Sequence, residues 1–180
     1  MSNDLHDLPS TRLDVSSLID RPGASRQADI DVPVPDGFSV PLTTFAGPVS
    51  IEGVLEALVD GVLLRGILSV QATQQCASCL EQIAPVTITS DVAELYSESS
   101  AAAEDDVVEP GYQINDALID VEALVRDSLA ESTPAAPKCD ADCAGLCPTC
   151  GCNLNHKSCD CADDDVDDRW SALSNLNLNP

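Results

Sequence analysis

The stretch that most constrains this chain runs from Lys138 to Arg169, KCDADCAGLCPTCGCNLNHKSCDCADDDVDDR. It carries seven of the nine cysteines: Cys139, Cys143, Cys147, Cys150, Cys152, Cys159 and Cys161. At its centre Cys147-Pro148-Thr149-Cys150-Gly151 forms a CxxCG turn. Two cysteines at this spacing aim both sulfurs at one point, and the glycine lets the backbone bend tightly. A segment this polar has too few large apolar residues to order itself by burial. The spacing therefore predicts a small module nucleated by a metal, with four thiolates closing a tetrahedral zinc site.

The sequence leaves the choice of ligands open. Cys147 and Cys150 are the expected central knuckle. Cys139 or Cys143 would close the site from one side, and Cys159 or Cys161 from the other. Cys152 is read as spare, because it stands too close to Cys150 for comfortable joint chelation. Thiolates alone do not separate zinc from an iron–sulfur cluster, or either from free thiols. The remaining pair, Cys76-Ala77-Ser78-Cys79, has two readings: half of a second metal site completed by leftover C-terminal cysteines, or reduced thiols in a tight turn. A thioredoxin-like role fits less well, since that CxxC opens a helix after a strand and this one joins two strands. His156 is expected to be exposed rather than a ligand, and His6 lies in the N-terminal tail.

The N-terminus shows no basic segment followed by an apolar one, and no run of 18 apolar residues occurs. A cytoplasmic protein without a membrane span is expected. Clustered cysteines in such a compartment are metal ligands more often than disulfides, and an odd total leaves one thiol unpaired in any scheme. Apolar residues make up 44% of the chain but aromatics only 3%, so its core must be built from Val, Leu, Ile and Ala.

Residues 49–96 carry the strand signal. Val49, Ile51, Leu55, Ala57 and Val59 share one parity, and Ser50, Glu52 and Glu56 the other. Asp60-Gly61 is expected to be a two-residue hairpin turn. Leu64, Leu68, Val70 and Ala72 mark the return strand, and Val86, Ile88 and Val92 a third. Residues 1–48 are broken by Pro and Gly. They offer two short extended pieces, near Arg12–Val15 and Asp29–Val34, suited to sheet edges. Residues 97–110 read as a mobile acidic loop, and Tyr112 to Leu118 as one more strand. Asp120 is expected to cap a helix reaching about Glu131, with Val121, Leu124, Val125 and Leu129 as its apolar stripe. Arg169-Trp170-Ser171-Ala172-Leu173 would start a short helix, with Trp170 and Leu173 as docking anchors.

The fold class is thus α+β, mainly β: an antiparallel meander forming a curled sheet or small open barrel, one covering helix and a C-terminal zinc-binding module. Residues 1–131 form the β domain and 132–180 the cysteine module with its acidic tail.

No GxSxG, P-loop or HExxH motif is present, and pairs such as Asp105-Asp106 or Asp163 to Asp165 sit in solvated runs, so no enzyme is expected. Arg126 and Asp127 read as a surface ion pair. Net charge is −23, from 31 acidic and 8 basic residues. Such a surface repels nucleic-acid phosphate and attracts a basic partner, or simply serves solubility.

Four features in order resemble the YceD family, the large ribosomal RNA subunit accumulation proteins. They are Arg21-Pro22-Gly23; the Gly61 to Gly66 hairpin leading to Cys76-x-x-Cys79-Leu80; Ile119-Asp120-Val121 with Val125-Arg126-Asp127; and Cys139 to Asn155, ending CAGLCPTCGCNLN, followed by CDC at 159–161 and Asp168-Arg169-Trp170. The resemblance implies a bacterial, non-enzymatic ribosome biogenesis factor that supports accumulation of large-subunit ribosomal RNA. Its implied partners are a basic ribosomal protein, a large-subunit assembly intermediate or the RNA itself, reached directly or through protein. Family members of other lineages lack the C-terminal cysteines, so the metal is expected to be structural. The competing class is a thiol-based redox or metal-handling protein.

Overall fold

A computed structural model describes residues 11–98 and 112–161. Seven strands and one helix follow in chain order: β1 Arg12–Asp14, β2 Ser25–Val32, β3 Thr43–Ala57, β4 Val62–Gln75, β5 Gln82–Glu98, β6 Gln113–Asn115, β7 Leu118–Asp120 and α1 Glu122–Ser132. They form one sheet in the order β1-β7-β6-β5-β4-β3-β2. All pairings are antiparallel except β5 with β6. The two Pro-flanked pieces at the N-terminus do become the edges, β1 and β2. The sheet curls until they approach each other, and the Arg26 guanidinium of β2 donates to the Asp14 carbonyl of β1 at 2.7 Å.

The alternating residues drive this curl. Ile51 and Leu55 on β3, Leu64 and Leu68 on β4, and Ile88, Val92 and Tyr96 on β5 are all buried on the concave face. Helix α1 lays Leu124, Val125 and Leu129 against them. Burying each such aliphatic side chain is worth about 1.5–3 kcal/mol, and this aliphatic layer makes the core with little aromatic help. Between Ile51 and Leu55 the inner row is interrupted by Gly53, which pairs with Gly66. A Cβ on Gly66 would stand 2.3 Å from the Glu52 carbonyl oxygen, and one on Gly53 2.4 Å from that of Arg65. The strands are bent so closely here that only glycine fits.

Several boundaries differ from the sequence expectations. Strand β3 begins at Thr43 rather than 49 and absorbs Gly47-Pro48 in a register shift between Ala46 and Ser50. It ends at Ala57, leaving Val59 86% exposed. The turn is centred one residue earlier than expected, with the Leu58 amide donating to the Gly61 carbonyl at 2.8 Å. Gly61 is needed for a close approach instead: its Cβ would lie 2.0 Å from the Tyr96 carbonyl oxygen.

Ser97 and Glu98 belong to β5, pairing with β6, and not to a loop. The rest of the expected acidic loop, with Asp105-Asp106, lies outside the described residues, as do His6, Asp163 to Asp165 and the expected Arg169–Leu173 helix. Tyr112 to Leu118 is not one strand. It folds into the β6–β7 hairpin because Asp116 and Ala117 take left-handed φ values of 51° and 58°, the geometry of a two-residue primed turn.

The N-cap of α1 is Val121, one residue beyond the expected Asp120. Asp120 still satisfies a helix-end donor, its Oδ1 accepting from the Glu122 amide at 3.0 Å. Arg126 pairs with Glu122 at 3.2 Å and not with Asp127. Asp127 instead accepts from the Tyr112 hydroxyl at 2.8 Å. After α1 the chain leaves as an arm at Thr133, whose backbone is extended. No described helix is long and apolar enough to cross a membrane.

Candidate metal centre

Strand β4 ends at Gln75, and the Cys76–Cys79 turn reverses the chain into β5. The Cys76 amide donates to the Glu81 carbonyl at 2.8 Å, and the Leu80 amide to the Cys76 carbonyl at 2.9 Å, with Leu80 itself at φ 60°. This tight turn leaves both thiols buried and facing one spot. The arm then folds back over it. The Ala77 amide donates to the Pro137 carbonyl at 2.7 Å, and the Leu146 amide to the Ser78 carbonyl at 3.1 Å. Gly145, at φ 74°, passes so close that a Cβ there would meet the Ser78 oxygen at 3.2 Å. The His156 ring meets the Glu81 carboxylate at 2.6 Å.

This docking sorts eight cysteines into two groups. Cys76, Cys79, Cys139 and Cys143 place their sulfurs within 4.8 Å of one another, as do Cys147, Cys150, Cys159 and Cys161. In the first group Cys76 and Cys143 sulfurs are 3.7 Å apart, and Cys79 and Cys139 sulfurs 3.6 Å. A disulfide would need about 2.05 Å. Four sulfurs about 2.3 Å from one ion stand about 3.8 Å apart, so the donor set has the size a tetrahedral thiolate site needs. No described cysteine is in a disulfide.

The second group is built on the CxxCG turn. The Gly151 amide donates to the Cys147 carbonyl and the Cys147 amide to the Cys152 carbonyl, both at 2.8 Å, with Gly151 at φ 71°. Cys159 and Cys161 come back to it from the far end of a short loop. Cys152 stands outside both groups, although its backbone helps close the turn.

The electrostatics of both groups are compatible with a bound cation. In the first, backbone N–H groups of Cys139 and then Cys79 lower Cys76 to about 6. Cys139 is pushed up to about 12 by the thiols of Cys143, Cys79 and Cys76. In the second, the Cys152 N–H, followed by neighbouring thiols, lowers Cys150 to about 6. Cys161 rises to about 12 beside Cys150. One thiolate forms readily in each cluster and then opposes the next, because like charges cannot share so small a space uncompensated. A divalent ion removes that opposition.

The sequence reading placed one knuckle with closers from either side and kept a second site at Cys76 and Cys79 as one of two readings; the geometry separates the upstream and downstream cysteines and groups the former with Cys76 and Cys79. Cys139 and Cys143 turn away from Cys147 and Cys150 and meet Cys76 and Cys79. Asn155 was missed as a site residue: its side chain accepts from the Ala144 amide at 2.8 Å and donates to the Cys143 sulfur at 3.3 Å. It fixes the loop joining the two groups. Its place in CAGLCPTCGCNLN was the available signal. His156 is exposed and belongs to neither group.

A curled, mainly β domain whose cysteine-bearing arm is folded onto one hairpin turn is the class of protein these features define. The chain belongs to the YceD family: the family model described as large ribosomal RNA subunit accumulation protein YceD matches residues 64–177. An uncharacterized protein of Mycobacterium leprae is 28% identical over 172 residues, covering 91% of this chain and 76% of that protein. An uncharacterized protein of Mycobacterium tuberculosis is 28% identical over 170 residues, covering 89% and 78%. The chloroplastic large ribosomal RNA subunit accumulation protein YCED homolog 1 of Arabidopsis thaliana is 36% identical over 58 residues, 32% of this chain and 18% of that protein. No solved structure matches the chain at a significant level.

Proposed function

We propose that the protein is a non-catalytic factor supporting accumulation of large-subunit ribosomal RNA, and that it acts by holding a basic ribosomal protein or assembly factor. The observation that carries this reading is the family match across 64–177, which spans all nine cysteines and helix α1. The surface supports a protein partner over bare RNA. On the convex face, Asp29, Glu52, Ile67 and Asp91 lie in one cross-strand row. Arg65, in the next row, is already paired with Glu56 at 2.7 Å. A face of this sign repels phosphate and steers a basic surface toward it. Zinc is the ion best suited to the cysteine groups, in a structural role, because the all-thiolate donor sets leave no open position for substrate or water.

Deleting the gene tests this reading. Ribosomal particles are separated on sucrose gradients and both ribosomal RNAs are quantified. The expected result is a deficit of large-subunit RNA and free large subunits with small-subunit RNA retained. Equal amounts of both RNAs in mutant and parent would overturn it. Affinity capture of the full chain should return a basic protein in a salt-sensitive manner; capture of bare RNA alone would reject the protein-partner half.

A further inference from the structure

We propose that the chain binds two zinc ions of unequal tenacity: a permanent one at Cys76, Cys79, Cys139 and Cys143, which join the arm to the sheet, and an exchangeable one at Cys147, Cys150, Cys159 and Cys161, all within the arm. This rests on the zinc reading above and assigns its ligands, its stoichiometry and its dynamics.

The two groups differ in what must move for an ion to escape. In the first, the paired sulfurs come from residues 67 and 60 positions apart. Cys76 is 0% and Cys79 3% exposed, beneath the arm. Cys139 is exposed and Cys143 half-buried, but an ion held by all four sulfurs is fully released only when the arm lifts, which breaks the Ala77–Pro137 and Leu146–Ser78 hydrogen bonds. The Asn155 amide also shields the Cys143 sulfur from one side. Departure is therefore coupled to local unfolding.

The second group needs no such opening. Its four ligands lie within one short stretch of the arm, and although Cys147 is buried, Cys150 and Cys161 are exposed. An external acceptor can therefore approach two of its ligand sulfurs while the arm stays docked on the Cys76–Cys79 turn.

The test uses the full chain loaded with Zn2+. Elemental analysis should find two ions per chain, as the two groups require. An excess of a chromogenic chelator should withdraw them in two phases of equal amplitude, with rates at least tenfold apart. Cys147→Ser with Cys150→Ser should remove the fast phase and retain the slow one. Because Cys76→Ser could unfold the arm, the first site is read in the unsubstituted chain by cobalt titration. Its sulfur-to-metal absorbance should rise to a break at two equivalents. A break at one equivalent, a single release phase, or a fast phase that survives Cys147→Ser with Cys150→Ser would overturn the proposal while leaving structural zinc intact. No metal uptake at all would reject both. Neither outcome depends on the ribosomal phenotype.

Discussion

Replacing Tyr96 by Phe should make this protein more stable. Tyr96 is 0% exposed, and its hydroxyl has no hydrogen-bond partner among the described residues. A buried, unsatisfied hydroxyl costs about 1–3 kcal/mol. Phe keeps the ring, its contact with Tyr112 at 5.5 Å between centroids, and its place beside Gly61. The expected gain is about 1 kcal/mol. In urea this moves the midpoint up by about 0.5 M with an unchanged slope.

The same hydroxyl sets an alkaline signature. Burial, and then the charges of Tyr112 and Asp120, raise Tyr96 above its ordinary value of 10.0. Above about pH 10 the unfolded chain has released this proton while the folded chain still holds it. The unfolded state then binds fewer protons, so stability falls as pH rises. The native protein should lose stability from about pH 10 upward, and the Phe variant should lose less. Denaturant melts at neutral and alkaline pH measure both effects. A variant destabilised by about 1 kcal/mol or more, with an unaltered alkaline slope, would mean that the hydroxyl has a partner and would refute the reasoning.

Three further expectations concern the backbone and the arm. Gly66→Ala forces a Cβ to 2.6 Å from the Gly53 Cα as well as against the Glu52 carbonyl. The β3 backbone cannot step aside, so a loss of about 3 kcal/mol is expected in a denaturant melt. Ala117→Gly relieves a left-handed φ of 58° in the β6–β7 turn and should stabilise by about 1 kcal/mol by the same measurement. Removing metal with a strong chelator should free the arm while the sheet persists, because no strand residue is in either cysteine group. Limited proteolysis should then cut between 138 and 161, with the strand signal in circular dichroism retained.

The strands were legible because one face of the sheet is buried and the other wet, which writes period-two alternation into β3, β4 and β5. Where alternation gave way to close backbone approach, the pattern misled: Val59 has the right parity but lies past the strand end, and the turn shifts off Asp60-Gly61. The β6–β7 hairpin was hidden because its left-handed turn uses Asp116 and Ala117, without the glycine that advertises such turns. The cysteine spacing pointed to metal chemistry and to the Cys147–Cys150 knuckle. It did not reveal the partition, which depends on the arm crossing back to a turn some sixty residues upstream. That crossing is made at Pro137, Gly145 and Leu146, through backbone contacts with Ala77 and Ser78 that no ligand spacing encodes.

The arm's organisation around two all-sulfur centres, one of which ties it to the Cys76–Cys79 turn, is the central structural claim, and X-ray absorption at the zinc edge of the loaded full chain tests it most directly. The account predicts a first shell of four sulfurs at about 2.3 Å, with no lighter ligand, at two zinc ions per chain. Nitrogen or oxygen in that shell, or a chain that holds no zinc because its cysteines have paired as disulfides, would contradict it.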